Sequence, residues 1–506
     1  MKSIMFTFES TLVKKVGGLA EVPPRLAQAL SEIGIPTELY LPNHGFIDTC
    51  ENPEYSFWID GTTYCVKKLE GVKPVHYLIG GGVLDDPVVY SPQTLIYKSL
   101  VFARIVREYL DEKIHGINEK IVFHGHDWHS IPALLTVNSL SIDRGLKTGL
   151  VLHFHLSTKN KIELHDLCRI TRICEHTPIK GDLGVVEFQH YYQLGNGLIE
   201  RIGALIVDKV LTVSKGFSKQ LTRYIGVNTA GKIDYVFNAS PFTWGEVEKT
   251  LRENGVENPQ LLKTRLSFRE QLLRKKLEEI KISLVDPEQS KILSSILDRY
   301  GVVYNRNFSS DGPLLFGIGR LAGQKGFDYL LKILDKLTLE IPRIKIILAL
   351  VPLSRELNEL IPWIEALLSY PDHLRILPGS ISKRDTILMY YASNATVMPS
   401  RIEPFGLVAL ESMAAGTPVA ASKTGGLTDI VVDYRVNWER GNGVLFGVGE
   451  LGEMSNSIIE LVKLLEPGLS GEEKIGHIRR NCIMRAEEFN WMNSAEKTRK
   501  IYVEIV

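Results

Sequence analysis

The stretch Met398–Leu427, MPSRIEPFGLVALESMAAGTPVAASKTGGL, decides the fold. The apolar run Ala395–Met398 reads as a buried parallel strand that ends at Pro399. A short turn, Ser400–Glu403, follows. Pro404 then suits the first turn of a helix, where its missing N–H would lack a partner anyway. The helix carries LVALESMAA and stops at Gly416. A second apolar run, Val419–Ala421, leads into the loop Lys423-Thr424-Gly425-Gly426. Strand, turn, helix, strand and glycine loop make one βαβ unit whose functional edge lies at the strand ends.

Two carboxylates in this stretch need a reason. Glu403 stands at the mouth of the helix, where the dipole favours an anion, and Glu411 lies a little over two turns along it. Most single helical glutamates belong to a solvated face. Here the flanks are Ala, Leu, Met and Gly, which points at least one carboxylate into a cleft. The N–H groups around Phe405, Gly406 and Leu407 would suit a phosphate. The pattern E-P-F-G-L-x-x-x-E, then A-G-T-P-V-x-A, then G-G, resembles the nucleotide-sugar site of retaining glycosyltransferases with two Rossmann-like domains.

Working outward, 506 residues suggest two or three domains, with 44% hydrophobic and 23% charged residues as in ordinary soluble enzymes. Lys+Arg 59 against Asp+Glu 59 leaves no net charge, so no nucleic-acid or anionic-membrane surface is expected. The start, MKSIMFTFESTLVKK, is a strand whose apolar run is broken by Glu9, not a signal peptide, and no run approaches transmembrane length. Five scattered cysteines, Cys50, Cys65, Cys168, Cys174 and Cys482, fit unpaired thiols in a reducing cytosol, hence a cytoplasmic protein. His165, Cys168, Cys174 and His176 lack the C-x-x-C clamp of a zinc site and read as an ordinary surface helix or loop.

In the N-terminal half, Ser3–Phe8 reads as the first strand, followed by a loop with Lys15, Gly17 and Gly18 and a helix through Leu26, Ala27, Leu30 and Ile33. A glycine pair at a helix start with a nearby lysine is a phosphate-binding combination, although Gly-Gly is as often only a tight turn. K-V-G-G-L-A-E-V resembles the signature of glycogen and starch synthases, in which the lysine and glycine loop contact donor sugar and phosphate. Residues 52–98 read as short strands between turns, and Tyr97–Leu110 as an amphipathic helix. The strand Ile121–Phe123 ends in His124-Gly125-His126-Asp127-Trp128-His129. Alternate His124 and His126 could bind a metal, and Asp127 could cap the helix IPALLTV. H-x-H-D-W-H resembles the family segment whose aspartate lies beside donor glucose and acceptor, and that reading is preferred. The next strand, TGLVLHFH, ends at a histidine, and the resemblance favours His155 over His153 as the residue near the reacting glucose. Residues 160–200 carry local basic character that defaults to a solvated face.

The segment between Pro241 and Asp311 is helical and charged, with fewer than three clean heptads. LLFGIG then starts a new first strand running into Arg320-Leu321-Ala322-Gly323-Gln324-Lys325-Gly326. As a dinucleotide fingerprint this lacks its third glycine. Two cations on a strand-to-helix loop suit a diphosphate, Arg offering a planar fork and Lys a point charge. G-R-x-x-x-Q-K-G resembles the family's diphosphate clamp, and LRILPGS, with Ser380 and Ile381, the segment lining the nucleoside base.

The resemblance to glycogen and starch synthases spans nearly the whole chain. It implies an α/β fold of two doubly wound Rossmann-like domains facing across a deep cleft (GT-B type). The expected divisions are an acceptor-side domain at 1–240, with a terminal helix at about 490–506 packing back on it, a helical insert at 241–310, and a nucleotide-sugar domain at 311–489. It implies transfer of glucose, with retention, from ADP-glucose or UDP-glucose to the non-reducing end of an α-1,4-glucan such as glycogen. Glu403, His155, Asp127 and Lys15 would act at the reacting sugar. Lys15, Gly17, Gly18, Arg320, Lys325, Ser380, Ile381, Pro404, Phe405, Gly406, Leu407 and Glu411 would hold the donor. No metal or other cofactor is implied, and oligomerisation stays open. Three other readings remain: a related transferase with a small acceptor, a nucleotide-dependent oxidoreductase or epimerase, and a catalytically silent glucan-binding protein.

Overall fold

The computed structural model describes residues 1–114, 119–284, 287–354 and 356–506, so two positions of the 241–310 insert lie outside the described residues. The chain divides into two units, Met1–Ala239 with Asn490–Val506, and Ser240–Phe489. The strands of the first are β1 (Lys2–Phe6), β2 (Thr37–Pro42), β3 (Tyr55–Ile59), β4 (Thr62–Lys68), β5 (Val75–Gly80), β6 (Ile121–His126), β7 (Thr148–Phe154), β8 (Pro178–Gly181), β9 (Gly184–Glu187), β10 (Lys209–Thr212) and β11 (Ile233–Tyr235). Those of the second are β12 (Ile282–Ser283), β13 (Leu314–Arg320), β14 (Lys345–Val351), β15 (Leu374–Leu377), β16 (Ser380–Ile381), β17 (Ala395–Met398), β18 (Val419–Ser422) and β19 (Gly443–Phe446).

The first sheet runs β11-β10-β7-β6-β1-β2-β5-β4-β3. It is parallel from β11 to β5, and β4 and β3 add an antiparallel edge. The second runs β15-β14-β13-β17-β18-β19 and is parallel throughout. Aliphatic runs such as KIILALV in β14 and ATVM in β17 are buried along nearly their whole length, as parallel strands covered on both faces require. In each sheet the order reverses beside the first strand, between β1 and β6 and between β13 and β17. Connections leave such a point in opposite directions, which opens a crevice outside the carboxyl ends.

One face of the first sheet is covered by the helices Val22–Glu32 and Trp491–Ile505, whose Leu26, Leu30, Ala495 and Tyr502 pack with Met5, Val122 and Val151. Pro23 and Pro24 fall in the first turn of the former, where a missing N–H costs nothing. Residues 160–200, read only as a basic stretch, form the helix Leu164–Thr171, the β8–β9 hairpin and the helix Phe188–Leu194.

Four expectations need correction. The helix of the opening stretch is Leu407–Ala414, so Pro404 lies ahead of it and not in its first turn: Gly406, at φ 113°, interrupts the helical conformation. The strand-to-helix loop at Arg320–Gly326 leads into two short helices and not one, Asp328–Leu331 and Leu334–Glu340. The helix Glu472–Glu488 was not foreseen. Four of the five cysteines are paired, Cys50 with Cys65 and Cys168 with Cys174, leaving Cys482 as a buried thiol. The unpaired thiols on which the reducing-cytosol reading rested are therefore not found, because the fold brings distant or turn-separated cysteines within bonding reach. Among the described residues no helix is long and apolar enough to cross a membrane.

The insert braces the second unit from within. Its helix Leu262–Gln271 buries two arginines. Arg265 donates to the carbonyl of Ala415, 2.9 Å, and to the Thr417 hydroxyl, closing the C-terminal end of Leu407–Ala414, where a cation suits the dipole. Arg269 grips Asp311 (2.8 Å), Glu466 (2.9 Å) and Asn394 (2.9 Å), and Asn394 in turn accepts the Leu314 N–H at the start of β13. Removing one member of such a buried network leaves its partners uncompensated, so Arg269→Ala is expected to cost about 3–5 kcal/mol. Chemical denaturation followed by circular dichroism measures this; a loss under about 1 kcal/mol would rank the network with ordinary surface pairs.

Candidate active site

In the first unit, β1 and β6 present their carboxyl ends side by side. The chain leaving β1 carries Glu9, which is buried and accepts hydrogen bonds from the backbone N–H of Val16 (2.6 Å) and Gly17 (2.7 Å) and from the Tyr90 hydroxyl. A carboxylate thereby holds the loop containing Lys15, Gly17 and Gly18. Lys15 is exposed and pairs with Glu21 at 2.8 Å; Gly18 opens the short helix Gly18–Glu21.

The chain leaving β6 places Asp127 at φ 59°, ψ 174°, a conformation that side-chain-bearing residues avoid at a cost of about 1–3 kcal/mol. Several bonds enforce it. The Asp127 N–H donates to the His153 carbonyl (2.9 Å), and the Asp127 carbonyl accepts from the Ser130 N–H (3.1 Å) and hydroxyl (2.7 Å). The Asp127 carboxylate does not cap the following helix. It accepts instead from the N–H groups of His155 (2.6 Å) and Leu156 (3.1 Å), tying the end of β6 to that of β7. Burial pushes its pKa up to about 7; those two N–H bonds oppose the rise, and the Glu200 and Glu9 carboxylates add to it. His155 shares a 3.0 Å contact between its Nε2 and Nδ1 of His126, and burial keeps its ring neutral. Beyond it, fully buried Glu200 accepts from the N–H groups of Thr158 (2.8 Å) and Lys159 (2.9 Å) and fixes the loop after β7.

The second unit repeats the arrangement. Arg320 is the exposed last residue of β13. The loop after it meets the loop after β17: the Arg401 N–H donates to the Gln324 carbonyl (2.8 Å), and Gln324 Nε2 to the Ile402 carbonyl (3.0 Å). A side chain at Gly326, φ 65°, would come within 2.1 Å of the Pro399 carbonyl oxygen, so only glycine allows this approach. The loops bring Lys325 Nζ to 2.6 Å from Glu403 Oε2, which also accepts from the Ser400 hydroxyl at 3.1 Å. The glycine pair beyond β18 closes over the same backbone: Gly426 N–H donates to the Glu403 carbonyl at 2.9 Å, and a Cβ on Gly425 would fall 2.0 Å from that oxygen.

Glu411, on the helix Leu407–Ala414, accepts from the Tyr390 hydroxyl at 2.9 Å, and burial beside this carboxylate pushes the Tyr390 pKa far up. Phe405 is buried ahead of the helix, and Gly406 forms its N-cap. Ser380 and Ile381 form β16, pairing antiparallel with Ser283 and Ile282 of β12. The segment expected to line a base is thus backed by a strand of the insert.

Arg320, Lys325, Glu403 and Glu411 therefore share one unit, and Lys15, Gly17, Gly18, Asp127 and His155 the other. A cation paired with a carboxylate offers one group to an anionic leaving group and another to developing positive charge. Glu9 and Glu200, which position the loops, were not singled out from the sequence. Their only signal is a carboxylate standing inside an apolar run, in MFTFES and in LIERIGALI.

Residues 2–234 match the family model described as starch synthase catalytic domain, and residues 305–467 the model described as glycosyl transferases group 1. The glycogen synthase of Clostridium kluyveri is 26% identical over 100% of both chains, and that of Exiguobacterium sibiricum 24% identical over 99% of this chain and 98% of its own. The solved catalytic domain of Starch Synthase IV from Arabidopsis thaliana, bound to ADP and acarbose, shares the fold, with a TM-score of 0.71 at 18% identity over 99% of each chain.

A carboxyl whose folded pKa stands above its unfolded value stabilises the fold only while protonated. The Asp127 contribution is whole below about pH 4 and lost as the pH rises to about 7. Relative to Asp127→Asn, the wild-type protein should lose up to about 1.4 kcal/mol of stability per pH unit across that window. Urea unfolding of both proteins at a series of pH values measures the difference; parallel curves would contradict the protonated, buried carboxyl.

Proposed function

The chain belongs to the glycogen and starch synthase family of two-domain glycosyltransferases, and on that premise we propose that it is a glycogen synthase-type retaining glucosyltransferase. It moves glucose from a nucleoside diphosphate to the 4-hydroxyl at the non-reducing end of an α-1,4-glucan. The Lys325–Glu403 contact, made by the loops that follow β13 and β17 at the strand-order reversal of the second unit, is the observation that carries this reading.

The barrier is departure of a diphosphate from the anomeric carbon with positive charge growing on the ring. Arg320 and Lys325 hold the diphosphate oxygens; the N–H groups and the cation of the glycine loop at Lys15 suit charge of the same sign. Entry of the donor redirects Lys325 from Glu403 to phosphate. The carboxylate is then left to the donor-glucose hydroxyls, where its charge favours the oxocarbenium-like ring. Glu411, held by Tyr390, takes the ribose hydroxyls, while the backbone near Ser380 and Ile381 meets the base. Asp127 and His155 position the sugar. As the anomeric carbon–phosphate oxygen bond breaks and the bond to the acceptor oxygen forms, the acceptor proton passes to the departing phosphate, so no enzymic base is needed. ADP-glucose comes first among donors because the fold-matched starch synthase carries ADP. A donor-only chemistry without a further cofactor belongs to the same proposal.

Turnover of ADP-glucose and UDP-glucose with glycogen as acceptor, with and without a chelator, tests it. Glucan growth with either donor, faster with ADP-glucose and about 100-fold or more slower in Glu403→Gln, is expected. Nucleotide release without glucan growth, or an unaffected Glu403→Gln variant, would overturn it.

A further inference from the structure

Four histidines gather at the carboxyl ends of β6 and β7, more than the proposed transfer uses. His124 and His126 alternate along β6 and so share one face; His126 stands directly opposite His153 on β7 in the parallel register, which puts His153 on that face too. All three are at most 1% exposed. Their rings lie nearly parallel, with centroids 4.5 Å apart for His124 and His126 and 5.4 Å for His126 and His153. Nε2 of His124, Nε2 of His126 and both ring nitrogens of His153 are buried without a hydrogen-bond partner in the structure. The Thr212 backbone approaches His153 and partly offsets the effect of burial on its ring. A buried polar atom left unmatched forfeits its hydration with nothing in return, and that cost accumulates where several stand on one face.

We propose that His124, His126 and His153 form a structural site for a borderline transition-metal ion of the zinc class, bound through imidazole nitrogen. Two ligands at i and i+2 on one strand and a third on its neighbour is a donor arrangement that suits a three-histidine zinc site. The potential ligand atoms lie within 4.8 Å of one another. Zn–N bonds of about 2.0 Å ask for roughly 3.3 Å between nitrogens, and an imidazole holds a metal in its own plane, so the rings close by up to about 1.5 Å and turn out of their parallel stack toward the ion. On two of the three rings the outer nitrogen is already engaged as metal-bound imidazoles require. His124 Nδ1 meets the Tyr502 hydroxyl at 2.6 Å, and His126 Nδ1 meets His155 Nε2 at 3.0 Å. With the protons on Nδ1, both Nε2 lone pairs are left for the ion. Burial holds the rings neutral, so binding need displace no proton from an imidazolium. Such an ion would tie β6 to β7 and, through Tyr502, to the C-terminal helix. It takes no part in receiving the diphosphate.

The test uses the full chain expressed with Co2+ in the medium and passed through a chelating column, with metal read by elemental analysis and by visible absorption. One ion per chain with the d–d bands of a four-coordinate ion, three imidazole nitrogens and one water, is expected, together with a melting temperature raised over metal-free protein. His153→Val should lower affinity by about 100-fold or more and abolish the bands. His153→Cys should keep the ion and add thiolate charge-transfer absorption, which keeps the test decisive if the valine variant folds poorly. A chain that retains no ion, or wild-type and His153→Val proteins of equal affinity, would overturn the site. Either result leaves glucosyl transfer, measured separately, untouched.

Discussion

The reversal of strand order between β13 and β17 is the constraint on which the candidate chemistry depends. Every strand of the second sheet points the same way, so all its carboxyl ends, with their unpaired backbone groups, lie on one edge. Only where neighbouring connections diverge does that edge open. The loops after β13 and β17 are forced together there, and Lys325 and Glu403 meet at 2.6 Å. Glycine is the material of this junction. Gly326, Gly425 and Gly426 each stand where a methyl group would strike a carbonyl oxygen or backbone atom of the Pro399–Phe405 segment.

The first sheet uses the same topology with different bonds. At the β1–β6 reversal, carboxylates act as loop holders: Glu9 for the Lys15 loop, Asp127 for the end of β7, Glu200 for the turn beyond it. Each gathers two backbone N–H groups, which are stronger partners for a charged oxygen than for a neutral one. Asp127 differs from the others in standing in a strained conformation with a raised pKa. Strain held by five separate hydrogen bonds marks a position maintained for what it presents rather than for stability. In the second unit the insert has a comparable supporting part, since Arg265 closes the far end of the helix that carries Glu411.

Much of this was legible in the sequence where the signal was local. Pro399, Gly416 and the apolar runs placed β17, the end of the helix and β18 to within a residue or so, because chain punctuation acts through φ and missing N–H groups. The start of that helix was misplaced because nothing in E-P-F-G announces that Gly406, rather than Pro404, sets the boundary. The loop-holding roles of Glu9 and Glu200 depend on backbone donors brought near by folding, up to 42 residues away for Thr158 and Glu200. The pairing of Cys50 with Cys65 depends likewise on where the chain before β3 passes β4. The resemblance favoured His155 over His153 beside the sugar; the alignment of His153 with His126 comes from strand register, which spacing does not show. Resemblance to the glycogen and starch synthases supplied what physics alone left open, namely which of two histidines and which of many lysines to name.

The account rests on fixed cations in the second unit receiving a nucleoside diphosphate. Calorimetric titration of ADP into the wild-type protein, Arg320→Ala and Lys325→Ala, at low and raised salt, tests this most directly. One site per chain is expected, weakened about 10-fold or more by each substitution and by added salt, as charge-assisted contacts to phosphate require. Equal affinity in all three proteins would contradict it.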